Sequence, residues 1–276
     1  MSRKIIGSIA AGVSIVLLAS GCSGGPAEGV GDTLRIGYVN ERPYSWIDGN
    51  DVKGTDIDII KTCMERIDGP TNYEFIQADF GGLIPGLQGN RFDVIAGGLL
   101  YNDDRQKQAD ATSPTYQFRL AAMVKAGNPL GITSDIESLI KAKGQIGAKQ
   151  GTYDYEVLVK HPDLGDRVSG YDSSQSAYTD LANGRIVAVI DNEALVVDYL
   201  KSNPSPDLEI VQPINGVYEP AGAVIWFRKG LESMVDDVSG CIKAIKQDGE
   251  LTKLLDANNY PSEAVTGPEE TTPNRK

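Results

Sequence analysis

Residues 91–98 read Arg91-Phe-Asp-Val-Ile-Ala-Gly-Gly98. The apolar run Phe92–Ala96 predicts a buried strand, and the glycine pair after it predicts a turn. Toward the N-terminus, Phe80–Leu87 reads as a helix that Gly89 stops, and Tyr73–Ile76 as a short strand. From Lys53 to Ile67 the apolar residues Ile57, Ile59, Ile60, Cys63, Met64 and Ile67 recur at the spacing of an amphipathic helix. Leu34–Asn40 alternates and is rich in β-formers, which predicts a strand running into a loop. Strand, helix, strand, helix, strand in that order is a parallel α/β unit. A parallel sheet offers its ligand crevice beyond the C-terminal ends of its strands. Gly98, Leu100 and Arg105 follow such an end.

The alternation recurs downstream. Gln145–Ala148, Val168–Tyr171 and Ile186–Ile190 read as strands; Tyr153–Lys160, Ser174–Ala182 and Glu193–Lys201 read as helices. A third stretch holds one strand, Ala223–Phe227, and helices over Leu231–Asp248 and Leu251–Asn258. With one strand it has no sheet of its own, so the economical topology returns it to the first unit. The expected organisation is a first lobe over 33–120, a second over 121–223, a return segment of the first over 224–262, and a disordered polar tail over 263–276. The chain then crosses between lobes near Phe118–Ala121 and near Gly222–Val224, where small residues suit a hinge. The alternative is one continuous doubly wound sheet.

Composition narrows the function classes. The 38 acidic and 26 basic residues give a formal net charge of −12. With no basic patch to hold a phosphate backbone, nucleic acid is not an expected partner. A hydrophobic fraction of 41% is enough for packed cores in about 245 foldable residues. The N-terminus reads as a signal peptide over 1–21: a basic start at Arg3-Lys4, an apolar stretch too short for a membrane span, then small residues. Leu18-Ala-Ser-Gly-Cys22 resembles a bacterial lipobox. That resemblance implies cleavage before Cys22, diacylation of its thiol, and anchoring at the outer face of the cytoplasmic membrane. The alternative is an ordinary signal peptide that ends near Cys22. Residues 22–32 read as a glycine-rich flexible tether.

Cys63 and Cys241 have no CxxC spacing and no His/Cys cluster, so no metal or cofactor is expected. Both fall on helices assigned to the first lobe, in an oxidising compartment. A disulfide and two separate buried thiols both remain open. The one histidine, His161, precedes Pro162 in a polar stretch and reads as a surface loop, yet a Ser-His-Asp or Cys-His machine would have to use it.

Several motifs carry a resemblance. Asn40-Glu-Arg-Pro-Tyr44, Gly54-Thr-Asp-Ile-Asp58, Ile84-Pro-Gly-Leu-Gln-Gly89, Arg91-Phe-Asp-Val-Ile95, and Asp104-Arg105 before Ser113-Pro-Thr-Tyr116 are similar to the polar amino-acid-type solute-binding proteins of bacterial ABC importers. The match runs from about Leu34 to Pro261. Each motif is weak alone; their order and spacing are specific. Asn40-Glu41, Ile84–Gln88 and Gly127-Asn-Pro-Leu-Gly131 look most like the ectoine and hydroxyectoine binders of that family. The resemblance implies an α/β fold of two lobes (the type II periplasmic-binding fold), two crossing hinge strands, and a ligand closed in the cleft. It also implies delivery to a membrane permease by a monomeric protein that performs no chemistry.

Candidate ligand residues follow from both readings. The planar fork of Arg105 suits a carboxylate, against the alternative of a surface residue in a polar run. Asp191, at the C-terminal edge of the strand Ile186–Ile190, suits an ammonium; the alternative is an N-cap. Gly151 and Thr152 open a helix whose free amides suit an anion. Tyr44 and Phe80 look like the family's aromatic walls, and aromatic faces attract cations; core packing is the alternative. Glu41 is similar to the acidic residue that faces a cyclic cation in ectoine binders. Leu100 departs from both subfamilies, lacking the small hydroxyl of one and the aromatic of the other. An acidic Asp191 departs from the ectoine binders and favours an amino acid. A compatible-solute binder is the second reading. A dehydratase on the same fold, with Glu41 or Asp191 as base, is the third.

Overall fold

The computed structural model describes residues 29–217, 222–261, 264 and 265. The expected signal peptide, Cys22, most of the tether and most of the tail lie outside the described residues.

β1 (Thr33–Tyr38) is followed by a hairpin of β2 (Trp46–Asp48) and β3 (Asp51–Lys53), then by α1 (Thr55–Arg66). β4 (Asn72–Gln77), α2 (Leu83–Gln88), β5 (Val94–Ala96), α3 (Asp103–Gln106) and β6 (Asp110–Ala111) come next. The second stretch runs through β7 (Leu120–Lys125), α4 (Ile136–Lys141), β8 (Ile146–Lys149), α5 (Tyr153–Lys160) and β9 (Val168–Tyr171). It continues through α6 (Ser174–Ala182), β10 (Ala188–Asn192), α7 (Glu193–Ser202) and β11 (Leu208–Ile214). β12 (Trp226–Phe227), α8 (Glu232–Gln247) and α9 (Glu250–Ala257) complete the order.

Two five-stranded sheets result, ordered β4-β1-β5-β12-β6 and β11-β7-β10-β8-β9. The single-sheet alternative is thereby excluded. β12 enters the first sheet between β5 and β6, antiparallel to both. The chain therefore passes between sheets after β6 and again after β11. The two passages touch: Ala223 N–H donates to the Tyr116 carbonyl at 2.8 Å, and Thr115 N–H donates to the Ala223 carbonyl at 2.8 Å.

Each lobe buries both faces of its sheet, as crossover helices require. In the first, Ile57, Ile60 and Met64 of α1 pack with Val238, Ile242 and Ile245 of α8 over Ile36 and Val94. The opposite face holds Leu83, Leu87, Phe92 and Trp226. A Cβ on Gly86 of α2 would lie 2.2 Å from the Phe92 ring, so glycine there lets α2 approach the strand. Asp93 ties the return segment down, accepting from Arg35 at 2.7 and 2.9 Å and from Arg228 at 2.8 Å. Burial pushes the Asp93 carboxyl up, but these bonds outweigh it and hold it below the usual range.

Some expectations need correction. The helix expected from Phe80 opens as a single 3-10 turn, Phe80–Gly82, because Gly81-Gly82 disfavours a regular start. The strand expected over Ala223–Phe227 keeps only two ladder residues, and Ala223 instead bridges to Leu100. The second sheet is mixed rather than parallel: β7 runs antiparallel to both β10 and β11.

Cys63 of α1 and Cys241 of α8 are joined as a disulfide, with Cα atoms 5.6 Å apart. The bond spans 178 residues of sequence. Closing so long a loop in the unfolded chain is worth about 2–4 kcal/mol in typical measurements. Replacing both cysteines by alanine should lower the unfolding free energy by about that amount in denaturant titration. Thiol titration of the unreduced, unfolded protein should find neither sulfur free; finding both free would contradict the bond.

Candidate functional site

The site is built on the turn after β5. Asp56, at the start of α1, accepts from Gly97 N–H at 2.9 Å and Gly98 N–H at 2.7 Å, and Tyr116 Oη donates to its other oxygen at 2.6 Å. Burial pushes the Asp56 carboxyl up against these three bonds. Gly98 has φ +62°, and a Cβ there would lie 2.6 Å from the Tyr44 ring, so backbone and space both require glycine. Tyr44 in turn stacks on Phe118 at 5.7 Å. It is core and wall at once: 2% exposed, lining the cavity, with an Oη that has no hydrogen-bond partner among the described residues.

The cavity lies between the lobes. The first lobe contributes Glu41, Tyr44, Phe80, Gly98, Leu100 and Arg105; the second contributes Thr152 and Asp191. Of the residues named from sequence, Gly151 alone stands outside the lining. Its φ of +79° shapes the turn into α5, where Thr152 caps the helix by accepting from Tyr155 N–H at 3.2 Å.

Arg105 is placed by Asn102, which caps α3 by accepting from Arg105 N–H at 2.8 Å. Its guanidinium lies 5.8 Å from the Phe80 ring centre and donates to the Leu100 carbonyl at 2.9 Å. That is its one side-chain hydrogen bond among the described residues, which leaves donors of the fork for another acceptor. Burial pulls its pKa below the ordinary arginine value, against the charges of Glu156 and Asp154. Asp191, on β10, accepts from Tyr178 Oη and from Asn192 N–H, each at 2.8 Å. Burial pushes its carboxyl up, against those hydrogen bonds and the charge of Lys149. The N-cap reading of Asp191 does not hold: Asn192 caps α7, accepting from Ala194 N–H at 2.9 Å.

The sequence reading missed Lys149. Its Nζ donates to Glu41 Oε1 at 2.5 Å across the lobes and lies 5.5 Å from the Phe80 ring centre. The two side chains are 13% and 15% exposed. Burial pushes the Glu41 carboxyl up despite this partner. A signal was present: Lys149 closes a short apolar strand just before Gln150-Gly151, the same kind of position that singled out Asp191. The free volume among these groups is about 30 Å³, room for one or two waters. A cavity of about 300 Å³ adjoins it, sharing Glu41 and Leu195.

The arrangement sets a guanidinium and an ammonium against three carboxylates, those of Glu41, Asp154 and Asp191, in a crevice between two separately built lobes. A sequence profile of the bacterial extracellular solute-binding proteins, family 3, matches residues 34–258. The chain belongs to this family. The family 3 protein is 28% identical to "ABC transporter arginine-binding protein 1" of Escherichia coli K12, over 75% of this chain and 82% of that one. A solved ancestral arginine-binding protein bound to arginine superposes with a TM-score of 0.69 at 28% identity, covering 82% of this chain and 97% of that one. EhuB in complex with hydroxyectoine superposes at 0.70 and 25% identity, covering 84% and 90%. The two-lobed fold inferred from sequence is the fold of these structures. Among the described residues of this family 3 protein, no helix is long and apolar enough to cross a membrane.

Proposed function

We propose that the protein captures a small zwitterionic α-amino acid between its lobes and delivers it to the membrane permease of an ABC importer. The observation that carries the reading is Arg105 and Asp191 lining one buried cavity from opposite lobes. A bare charge is prohibitively costly to bury, so an amino acid needs a partner for its carboxylate and one for its ammonium. The fork of Arg105 offers two parallel hydrogen bonds to the first. Asp191 offers an opposite charge to the second. A ligand that touches both lobes has more contacts when they are closed, and that difference drives closure. The curated relative named for arginine binding supports the same class. Diacylation at Cys22 belongs to this proposal, since a lipid and a glycine-rich tether would hold the domain near its permease; mass spectrometry of the mature N-terminus reads it directly.

An ectoine-type ligand is the second reading, favoured by the likeness to EhuB and by Glu41, Tyr44 and Phe80. Lys149 weighs against it, because the carboxylate that would face a ring cation already holds an ammonium. A thermal-shift screen across amino acids, ectoines and betaines tests the choice. An amino acid at 100 times its Kd should stabilise the fold by about 2.7 kcal/mol. Stabilisation by ectoines and by no amino acid would overturn the proposal.

A further inference from the structure

We infer that Lys149 makes this site select a neutral α-amino acid whose side chain ends in a hydrogen-bond acceptor, and reject a cationic side chain. The inference rests on the amino-acid reading above. If Arg105 holds the ligand's carboxylate and Asp191 its ammonium, the side chain must use what remains of the cavity. Asp154, a further carboxylate of the lining, already has a partner and its charge acts on Arg105, so the features left to welcome a cation are the Glu41 carboxylate and the face of Phe80. Lys149 occupies both, with Nζ 2.5 Å from Glu41 Oε1 and 5.5 Å from the Phe80 ring centre. A second cation must either sit beside this ammonium or displace it. Displacement would strand a lysine that is 13% exposed away from its counter-charge. Both outcomes cost affinity.

The same ammonium sets what is favoured. It carries three N–H donors. Glu41 accepts from one, and among the described residues the others have no acceptor. A ligand group that accepts a hydrogen bond completes the set. Charge then separates an amide from a carboxylate. A side-chain carboxylate would add a negative charge beside Glu41, whose carboxyl burial already pushes toward its neutral form. A carboxamide supplies the acceptor without the charge. Relatives named for arginine show that the fold itself accommodates a cationic ligand, so the discrimination is assigned to this side chain.

Calorimetry with L-glutamine, L-glutamate and L-arginine on the wild type, Lys149→Met and Lys149→Gln tests this. The wild type should bind glutamine about tenfold or more tightly than arginine, because like-charge juxtaposition is strongly unfavourable. In Lys149→Met, Glu41 is released to meet a guanidinium, and the preference should fall by about tenfold or reverse. Wild-type binding of arginine or glutamate as tightly as glutamine would overturn the inference, and this comparison needs no variant to fold. A glutamine preference unchanged in both variants would remove Lys149 as its cause. Failure to bind any amino acid in a wider panel would remove the underlying functional reading, and the inference with it.

Discussion

Arg105→Ala lowers amino-acid affinity by about 30-fold to several thousand-fold while leaving the ligand-free melting temperature near that of the wild type. The two halves of this expectation have separate causes. Truncating one side of a buried, hydrogen-bonded charge pair costs about 2–5 kcal/mol, much of it from leaving the ligand's carboxylate buried without a partner. At 1.4 kcal/mol per decade, that gives the stated range. The fold, by contrast, loses little. Among the described residues Arg105 gives its guanidinium to a single carbonyl, that of Leu100, and burial already disfavours its charge. Calorimetry with a parallel melting curve reads both halves. An affinity within twofold of wild type would take Arg105 out of the site.

Asp191→Asn weakens binding by about 3–5 kcal/mol, since breaking one side of a buried pair strands the other. The loss should exceed that of Glu41→Gln. Glu41 is already paired with Lys149 across the cleft, whereas among the described residues Asp191 accepts from hydroxyl and amide donors and forms no ion pair. An ectoine-like ligand would reverse the order, because its delocalised ring cation would rely on Glu41 and the aromatic faces. The pH dependence gives a second readout. Burial raises the Asp191 carboxyl above the ordinary aspartate range. Its charge, and the affinity that depends on it, is complete above that raised value and is lost as pH falls through it. Wild-type affinity should therefore begin to fall at a pH higher than an unperturbed aspartate would give, and Asp191→Asn should lose that limb. A larger loss for Glu41→Gln on the same ligand would decide for a compatible solute.

How far the sequence revealed the molecule follows from the kind of signal each element emits. α1 and α8 declared themselves through apolar spacing, because one face of each is buried against the sheet and against the other helix. β5 and β10 declared themselves as short apolar runs, because both of their faces are covered. β7 and β11 did not. Leu120–Met123 is a run of buried residues that reads equally as strand or connector, and β11 carries Pro213, which argues against a strand from sequence alone. The hairpin of β2 and β3 is too short to show a period. In the site, Asp191 was legible because charge at the end of a buried strand is conspicuous, and Arg105 because its fork follows a buried strand and a glycine turn within a motif that resembles the family's. Lys149 was equally conspicuous, but its meaning depends on Glu41, 108 residues away in sequence. Pairing across a cleft leaves no local pattern.

The place of β12 in the first sheet sets the order in which the molecule can be finished during synthesis. The first lobe begins first, yet its sheet lacks an interior strand until Trp226 and Phe227 have been made, and Cys63 waits through 178 residues for its sulfur partner. The second lobe is contiguous from β7 to β11 and owns the apolar clusters on both faces of its sheet. The lobe started second is therefore the one a growing chain can complete first. The lobe started first stays an open template until β12 arrives, with only α8 and α9 still to follow in the element order.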